Sequence, residues 1–192
     1  MPTLYIIAGC NGAGKTTASF TVLPEMLNCK EFVNADSIAA GLSPFQPDKV
    51  AFEAGKLMLQ RIEHLITTTT DFAIETTLST KSYVQTIKKC KEKGYRVVLI
   101  YFWLESTELA ITRIKERVKR GGHYLPDEVV KRRYKRGLHN LFSLFMPLCD
   151  YWFVFDNSEK KPILITEGTD ITYNIIYNEV IWKTIKSYSD EK

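Results

Sequence analysis

Positions 6–17 read IIAGCNGAGKTT, and this stretch constrains the chain more than any other. Gly9, Gly14, Lys15 and Thr16 satisfy the spacing G-x-x-x-x-G-K-[ST] of a phosphate-binding loop. Such a loop wraps phosphates in backbone N–H groups at the start of a helix, so it has to sit between a strand and a helix. The flanks comply. Residues 3–8 form an apolar, partly β-branched run that reads as a buried first strand, and a helix is expected from Lys15 to about Leu27. Gly9, Gly12 and Gly14 let the backbone approach the phosphates, and Asn11, Ala13 and Thr17 are the loop's further nucleotide contacts. Lys15 is expected on the β- and γ-phosphates and the Thr16 hydroxyl on Mg²⁺, with ATP the implied nucleotide.

The rest of the chain keeps strand and helix alternating. Strands are expected at 31–36, 71–77, 95–104, 150–157 and 162–168. Pro47 and Asp48 suit the first turn of a long helix whose apolar face runs from Val50 to Ile66. Ser79 or Thr80 would cap a helix ending near Gly94, and Ser106 one reaching Lys119 or Arg120. A further helix starts after Pro126, and a closing helix is expected over 170–187. This order predicts a three-layer α/β fold of the P-loop NTPase, nucleotide-kinase-like kind, with a mostly parallel sheet and a helical lid. Ligands then gather at the carboxyl ends of the strands.

With 192 residues, 45% of them hydrophobic, the chain suits one compact unit over 1–192. Cys10, Cys29, Cys90 and Cys149 are scattered and form neither a disulfide framework nor a zinc pattern. The opening residues lack the layout of a signal peptide, and the apolar run VVLIYFWL at 97–104 is far short of the ~20 residues that span a bilayer, so a cytoplasmic location is expected. Charge is uneven. Between Arg113 and Arg136 ten Lys/Arg face three acidic residues, a net +7 that leaves −3 on the rest of a chain whose formal charge is +4. That cluster calls for an anionic partner.

Several uses of a phosphate loop fall away: no N-K-x-D stretch reads guanine, and neither of the strands expected at 31–36 and 71–77 is the run of several apolar residues closing on Asp of the usual second nucleotide motif. FVNAD ends instead on Asp36 and FAIE on Glu75. A carboxylate at Asp36 could accept the proton of an attacking hydroxyl, or cap a helix. Glu75 and Thr77 fall on the same side of a strand and suit a polyhydroxyl acceptor; a salt bridge and a cap are the plainer roles. The basic segment, about 113–136, has the form of a lid in which arginines could bind the transferring phosphate, Arg120 and Arg133 foremost, with Arg117, Arg132 and Arg136 open. Gly121 and Gly122 are hinge candidates, His123 at the tip could touch substrate, and Asn157 lies where the adenine base is often met. The aromatic run Tyr151, Trp152, Phe153 and Phe155 reads as core.

Taken together, GCNGAGKTT, NADSIAAGLSP, AFEAGKLMLQRI, FAIETTLS, ERVKRGGHYLP, RRYKRGLHNLF and YWFVFDNS resemble the zeta toxin family of P-loop kinases, in order over roughly 4–168. The likeness is greatest to its compact branch, often labelled a predicted ATPase. The resemblance implies a fold close to nucleotide and shikimate kinases. It also implies phosphorylation of a sugar hydroxyl of UDP-N-acetylglucosamine, and silencing by a small antitoxin. By the same resemblance Asp36 matches the general base, Glu75 and Thr77 the acceptor-sugar contacts, and Arg120 and Arg133 the family's two arginines. The longer toxins carry extra acceptor-binding segments, so the identity of the acceptor stays open. A Mg²⁺- and ATP-dependent small-molecule kinase is therefore expected, with no membrane partner. The alternatives are a nucleic-acid-directed ATPase or polynucleotide kinase, and a non-catalytic nucleotide-binding switch.

Overall fold

The computed structural model describes residues 1–119, 121–122, 124–169 and 173–190. Five parallel strands come first: β1 (Thr3–Gly9), β2 (Phe32–Val33), β3 (Phe72–Thr76), β4 (Arg96–Trp103) and β5 (Tyr151–Asp156). Two antiparallel strands follow, β6 (Ile163–Thr169) and β7 (Tyr173–Ile176), and the sheet order is β2-β3-β1-β4-β5-β6-β7. The helices are α1 (Lys15–Thr21), α2 (Ala35–Leu42), α3 (Ala51–Thr67), α4 (Ser82–Glu92), α5 (Thr107–Lys119), α6 (Asp127–Asn140) and α7 (Glu179–Asp190).

The central strands are continuous apolar runs because they are covered on both faces. Leu4, Ile6, Phe72, Ile74, Val97 and Leu99 are fully buried. Burying an aliphatic or aromatic side chain of this size contributes roughly 1.5–3 kcal/mol. All four cysteines are buried and free. From β1 the chain runs to β2 on one side, whereas from β3 it crosses β1 to reach β4 on the other. The connections therefore diverge between β1 and β3, and the crevice at their carboxyl ends is where ligands bind in such sheets.

Three expectations need correction. The strand expected at 31–36 is only Phe32–Val33, because Asn34 accepts a hydrogen bond from the Ser37 N–H (3.0 Å) and starts α2. The helix after β3 begins at Ser82 with no side-chain cap, so neither Ser79 nor Thr80 caps it. The closing helix starts later than expected: Tyr173–Ile176 pairs with β6, and Asn178 then caps α7 through the Ile181 N–H (3.0 Å). The aromatic and β-branched run YNII favours a strand, and pairing with β6 outweighs any helical spacing. By contrast, Ser106 caps α5 as expected, accepting from the Leu109 N–H at 3.1 Å.

Candidate active site

The loop after β1 is shaped by close backbone packing. Gly9 has φ +142°, and a Cβ there would lie 2.2 Å from the Phe102 carbonyl oxygen of β4. Gly14 is the N-cap of α1, so Lys15 and Thr16 occupy the first turn of that helix. Lys15 is buried, donates to the Cys10 carbonyl (3.0 Å), and lies 3.7 Å from Glu75 Oε1. Burial pushes the Cys10 thiol up to about 11, although the Lys15 charge pulls the other way.

Glu75 stands at the second-to-last position of β3, facing this loop. Its Oε2 accepts from Thr16 Oγ1 (2.7 Å) and from Asn34 Nδ2 (2.8 Å). A carboxylate beside the loop threonine is the arrangement that suits Mg²⁺, which takes one or two protein oxygens and completes its shell with phosphates and water. The donor set here, a hydroxyl and a carboxylate, fits that cation.

Asp36 is exposed in the first turn of α2, and the cap is Asn34, two residues before it. It lines three cavities. One, about 420 Å³, lies over the loop against Gly12, Lys15, Thr16, Arg113 and Arg117. A second, about 130 Å³, is bounded by Asn11, Lys15, Glu75, Thr77 and Arg133. The third, about 290 Å³, is walled by Ala35, Ala39, Ala40, Pro44 and Pro47, with Arg117 opposite. A larger open depression, about 800 Å³, lies at the other end of the sheet among Met1, Pro2, Lys30 and Asp71, away from the loop.

Thr77 lies just past the end of β3, yet it shares the second cavity with Glu75. Its hydroxyl is paired with that of Ser79 (2.8 Å). Arg133 reaches in from α6 and donates to Asn11 Oδ1 (3.3 Å). Arg132 and Arg136 are exposed on the same helix. Arg120 and His123 lie outside the described residues. Gly121, at φ +87°, has a terminating duty: its N–H bonds Val118 O (2.9 Å) and that of Gly122 bonds Arg117 O (3.0 Å), the paired closure that ends a helix.

The lid helices have fixed bases. Tyr134 on α6 is buried and donates to Leu104 O (2.6 Å). Asn140 donates to Leu78 O (2.6 Å), and a Cβ on Gly137 would meet Thr77 O at 2.5 Å. Asn157 bonds the loop carbonyl of Ala13 (2.7 Å), and Arg113 clamps the carbonyls of Asn157 (2.8 Å) and Ser158 (2.7 Å). Sequence reasoning missed Asn34, Arg113 and Asn140. Only Asn34 carried a local signal, an Asn three residues before Ser37 at a helix start.

A family profile described as Zeta toxin matches residues 1–159. This chain belongs to the Zeta toxin family. Over 127 residues it is 35% identical to an uncharacterized protein of Haemophilus influenzae, covering 66% of this chain and 88% of that protein. Among solved structures, a chain of the AvrRxo1-ORF1:-ORF2 complex with ATP matches with a TM-score of 0.77 at 18% identity over 100% of this chain. This chain spans 65% of the length of that neighbour. A chain of the PezAT chromosomal toxin–antitoxin system of Streptococcus pneumoniae matches with a TM-score of 0.65 at 15% identity, covering 98% of this chain and 86% of that one. At such identities the structures speak for the fold, that of the P-loop kinases. Membership of the Zeta toxin family together with this fold supports a nucleotide-dependent kinase. Among the described residues no helix is long and apolar enough to cross a membrane.

Proposed function

We propose that this chain transfers the γ-phosphate of ATP to a hydroxyl of a small molecule, with UDP-N-acetylglucosamine the favoured acceptor. One observation carries the reading: Asp36 borders the cavity over the phosphate loop and also the one beside Glu75, Thr77 and Arg133. A carboxylate at that junction can meet an acceptor hydroxyl where the γ-phosphate would lie.

In this mechanism the new O–P bond forms as the bond from Pγ to the leaving ADP oxygen breaks, with the two oxygens in line. The Asp36 carboxylate takes the hydroxyl proton. Lys15 turns from the Cys10 carbonyl to the phosphates, and Arg133 stabilises the equatorial oxygens from the α6 side. Arg120 is the second arginine candidate. Thr16, oriented by Glu75, would hold a Mg²⁺ ion, whose chemistry would be to offset the negative charge of the transferring phosphate. Asn157 braces the loop that carries the phosphates, and His123 and Thr77 are acceptor contacts. ATP fits the description of the AvrRxo1-ORF1:-ORF2 complex solved with it, and an antitoxin partner fits that of the PezAT system.

The test is transfer from γ-labelled ATP to UDP-N-acetylglucosamine, to a pool of other nucleotide sugars, and to oligonucleotides. Lys15→Ala should abolish labelling. Asp36→Asn should bind ATP normally and lose about 10²–10⁴-fold in turnover. Normal turnover by Asp36→Asn would remove the base assignment. Label on oligonucleotides alone would replace the small-molecule reading with that of a polynucleotide kinase.

A further inference from the structure

Between the nucleotide side of the cleft and Asp36 stands Asn34, one residue past the end of β2 and only 5% exposed. Both ends of its amide are engaged. Oδ1 accepts from the Ser37 N–H at 3.0 Å, which caps α2. Nδ2 donates to Glu75 Oε2 at 2.8 Å, the same oxygen that takes the Thr16 hydroxyl at 2.7 Å. The orientation of the amide follows from its partners, since an N–H requires an acceptor and a carboxylate requires a donor. The Asn34 carbonyl also takes the first backbone bond of α2, from the Ile38 N–H at 3.1 Å.

We propose that Asn34 is a positioning residue that couples the two halves of the site: one amide holds Glu75 on Thr16 while it fixes the helix that carries Asp36. A continuous chain then runs from Thr16 through Glu75 and Asn34 to the first turn of α2. The catalytic meaning of this coupling rests on the kinase reading above; the contacts themselves do not.

The chemistry of the position is narrow. Serine would cap α2 but is too short to reach Glu75. Aspartate has the right shape and would also cap, but it turns a donor into an acceptor facing Glu75 Oε2. Alanine loses both roles. A Glu75 freed from the Asn34 amide can close the 3.7 Å gap to Lys15 and compete with phosphate for that ammonium.

The experiment uses the full chain and the variants Asn34→Ser, Asn34→Asp and Asn34→Ala. Calorimetry measures ATP affinity with and without Mg²⁺; labelled transfer gives kcat and the acceptor KM; thermal melts report the fold. Asn34→Ser should melt near the wild type, lose about tenfold of the gain in ATP affinity that Mg²⁺ gives, and drop kcat about tenfold with acceptor KM little changed. Asn34→Asp should show the same losses with its cap intact, so a poor melt of the serine variant does not hide the effect. Asn34→Ala should in addition raise acceptor KM, because the first turn of α2 loosens under Asp36. Should the wild type transfer phosphate to none of the acceptors, the kinase reading fails while the Mg²⁺-dependent affinity still decides the bridge. A wild-type Mg²⁺ gain in both Asn34→Ser and Asn34→Asp would overturn the coupling.

Discussion

On the phosphate-loop side of the cleft almost nothing is adjustable, whereas on the α2 side most of the wall is short side chains facing open space. Gly9 lies against the β4 backbone, Asn157 braces Ala13, Lys15 is buried, and Thr16 is tied to Glu75. Across the cleft, Ala35, Ala39, Ala40, Pro44 and Pro47 bound a cavity of about 290 Å³, and Asp36 stands exposed at its edge. The rigid side is what a shared ligand fragment needs, since every triphosphate presents the same oxygens in the same spacing. The other side is free to change with the acceptor, because alanines fix little beyond a shape.

The largest effect expected from this contrast is at Gly9. Gly9→Ala puts a methyl group 2.2 Å from the Phe102 carbonyl at a φ of +142°, and neither backbone can move without breaking the β1–β4 pairing. A loss of about 4 kcal/mol or more in urea denaturation is expected, with ATP binding gone. A mild loss with intact ATP binding would show that the loop is less constrained than its packing indicates. Next comes Gly137→Ala, where the added methyl meets Thr77 O at 2.5 Å. It should cost about 1–3 kcal/mol and, by pushing α6 outward, take Arg133 away from Asn11. Transfer should fall more than ATP affinity; equal losses would mean that Arg133 serves the nucleotide alone.

The same division explains what the sequence made legible. The loop, its strand and its helix could be read from IIAGCNGAGKTT because glycine spacing and a lysine encode a backbone shape locally. The parallel core was legible from runs such as VVLIYFWL. Glu75 was picked out as a strand-end carboxylate, but its engagement with Thr16, 59 residues away, and with Asn34, 41 residues away, depends on the β1–β3 and β2–β3 pairings and has no local signature. Arg113 was counted within a basic lid, and only the fold commits its guanidinium to two carbonyls after β5. β7 escaped because a strand of four residues is defined by its partner β6. What was legible is local; what was missed is contact between distant segments.

On the open side, Ala40→Leu fills part of the cavity beside Asp36 from an exposed position. Stability should change by less than about 0.5 kcal/mol. ATP affinity should hold while acceptor KM rises, and a fall in ATP affinity instead would move that cavity to the nucleotide side.

A pH-dependent effect tests the floor of the rigid side, where Cys10 is 3% exposed within the loop. Burial raises its thiol from 9.0 to about 11, outweighing the nearby Lys15 charge. A raised pKa in an acid means that the folded state retains its proton where the unfolded chain has begun to lose it. The corresponding stability is complete below pH 9 and drains away as pH rises through 11. Cys29, Cys90 and Cys149 are shifted the same way by burial, so total stability should also fall in this window, and a difference measurement is needed to isolate Cys10. Cys10→Ala removes only the contribution of that thiol. The stability gap between wild type and variant should therefore shrink by about 1 kcal/mol from pH 8 to pH 10, read from urea midpoints at each pH. A gap that stays constant would mean the thiol ionises as freely in the fold as in the unfolded chain. Water would then reach beneath the phosphate loop, and the rigid side would owe its order to hydrogen bonds alone rather than to a dry floor.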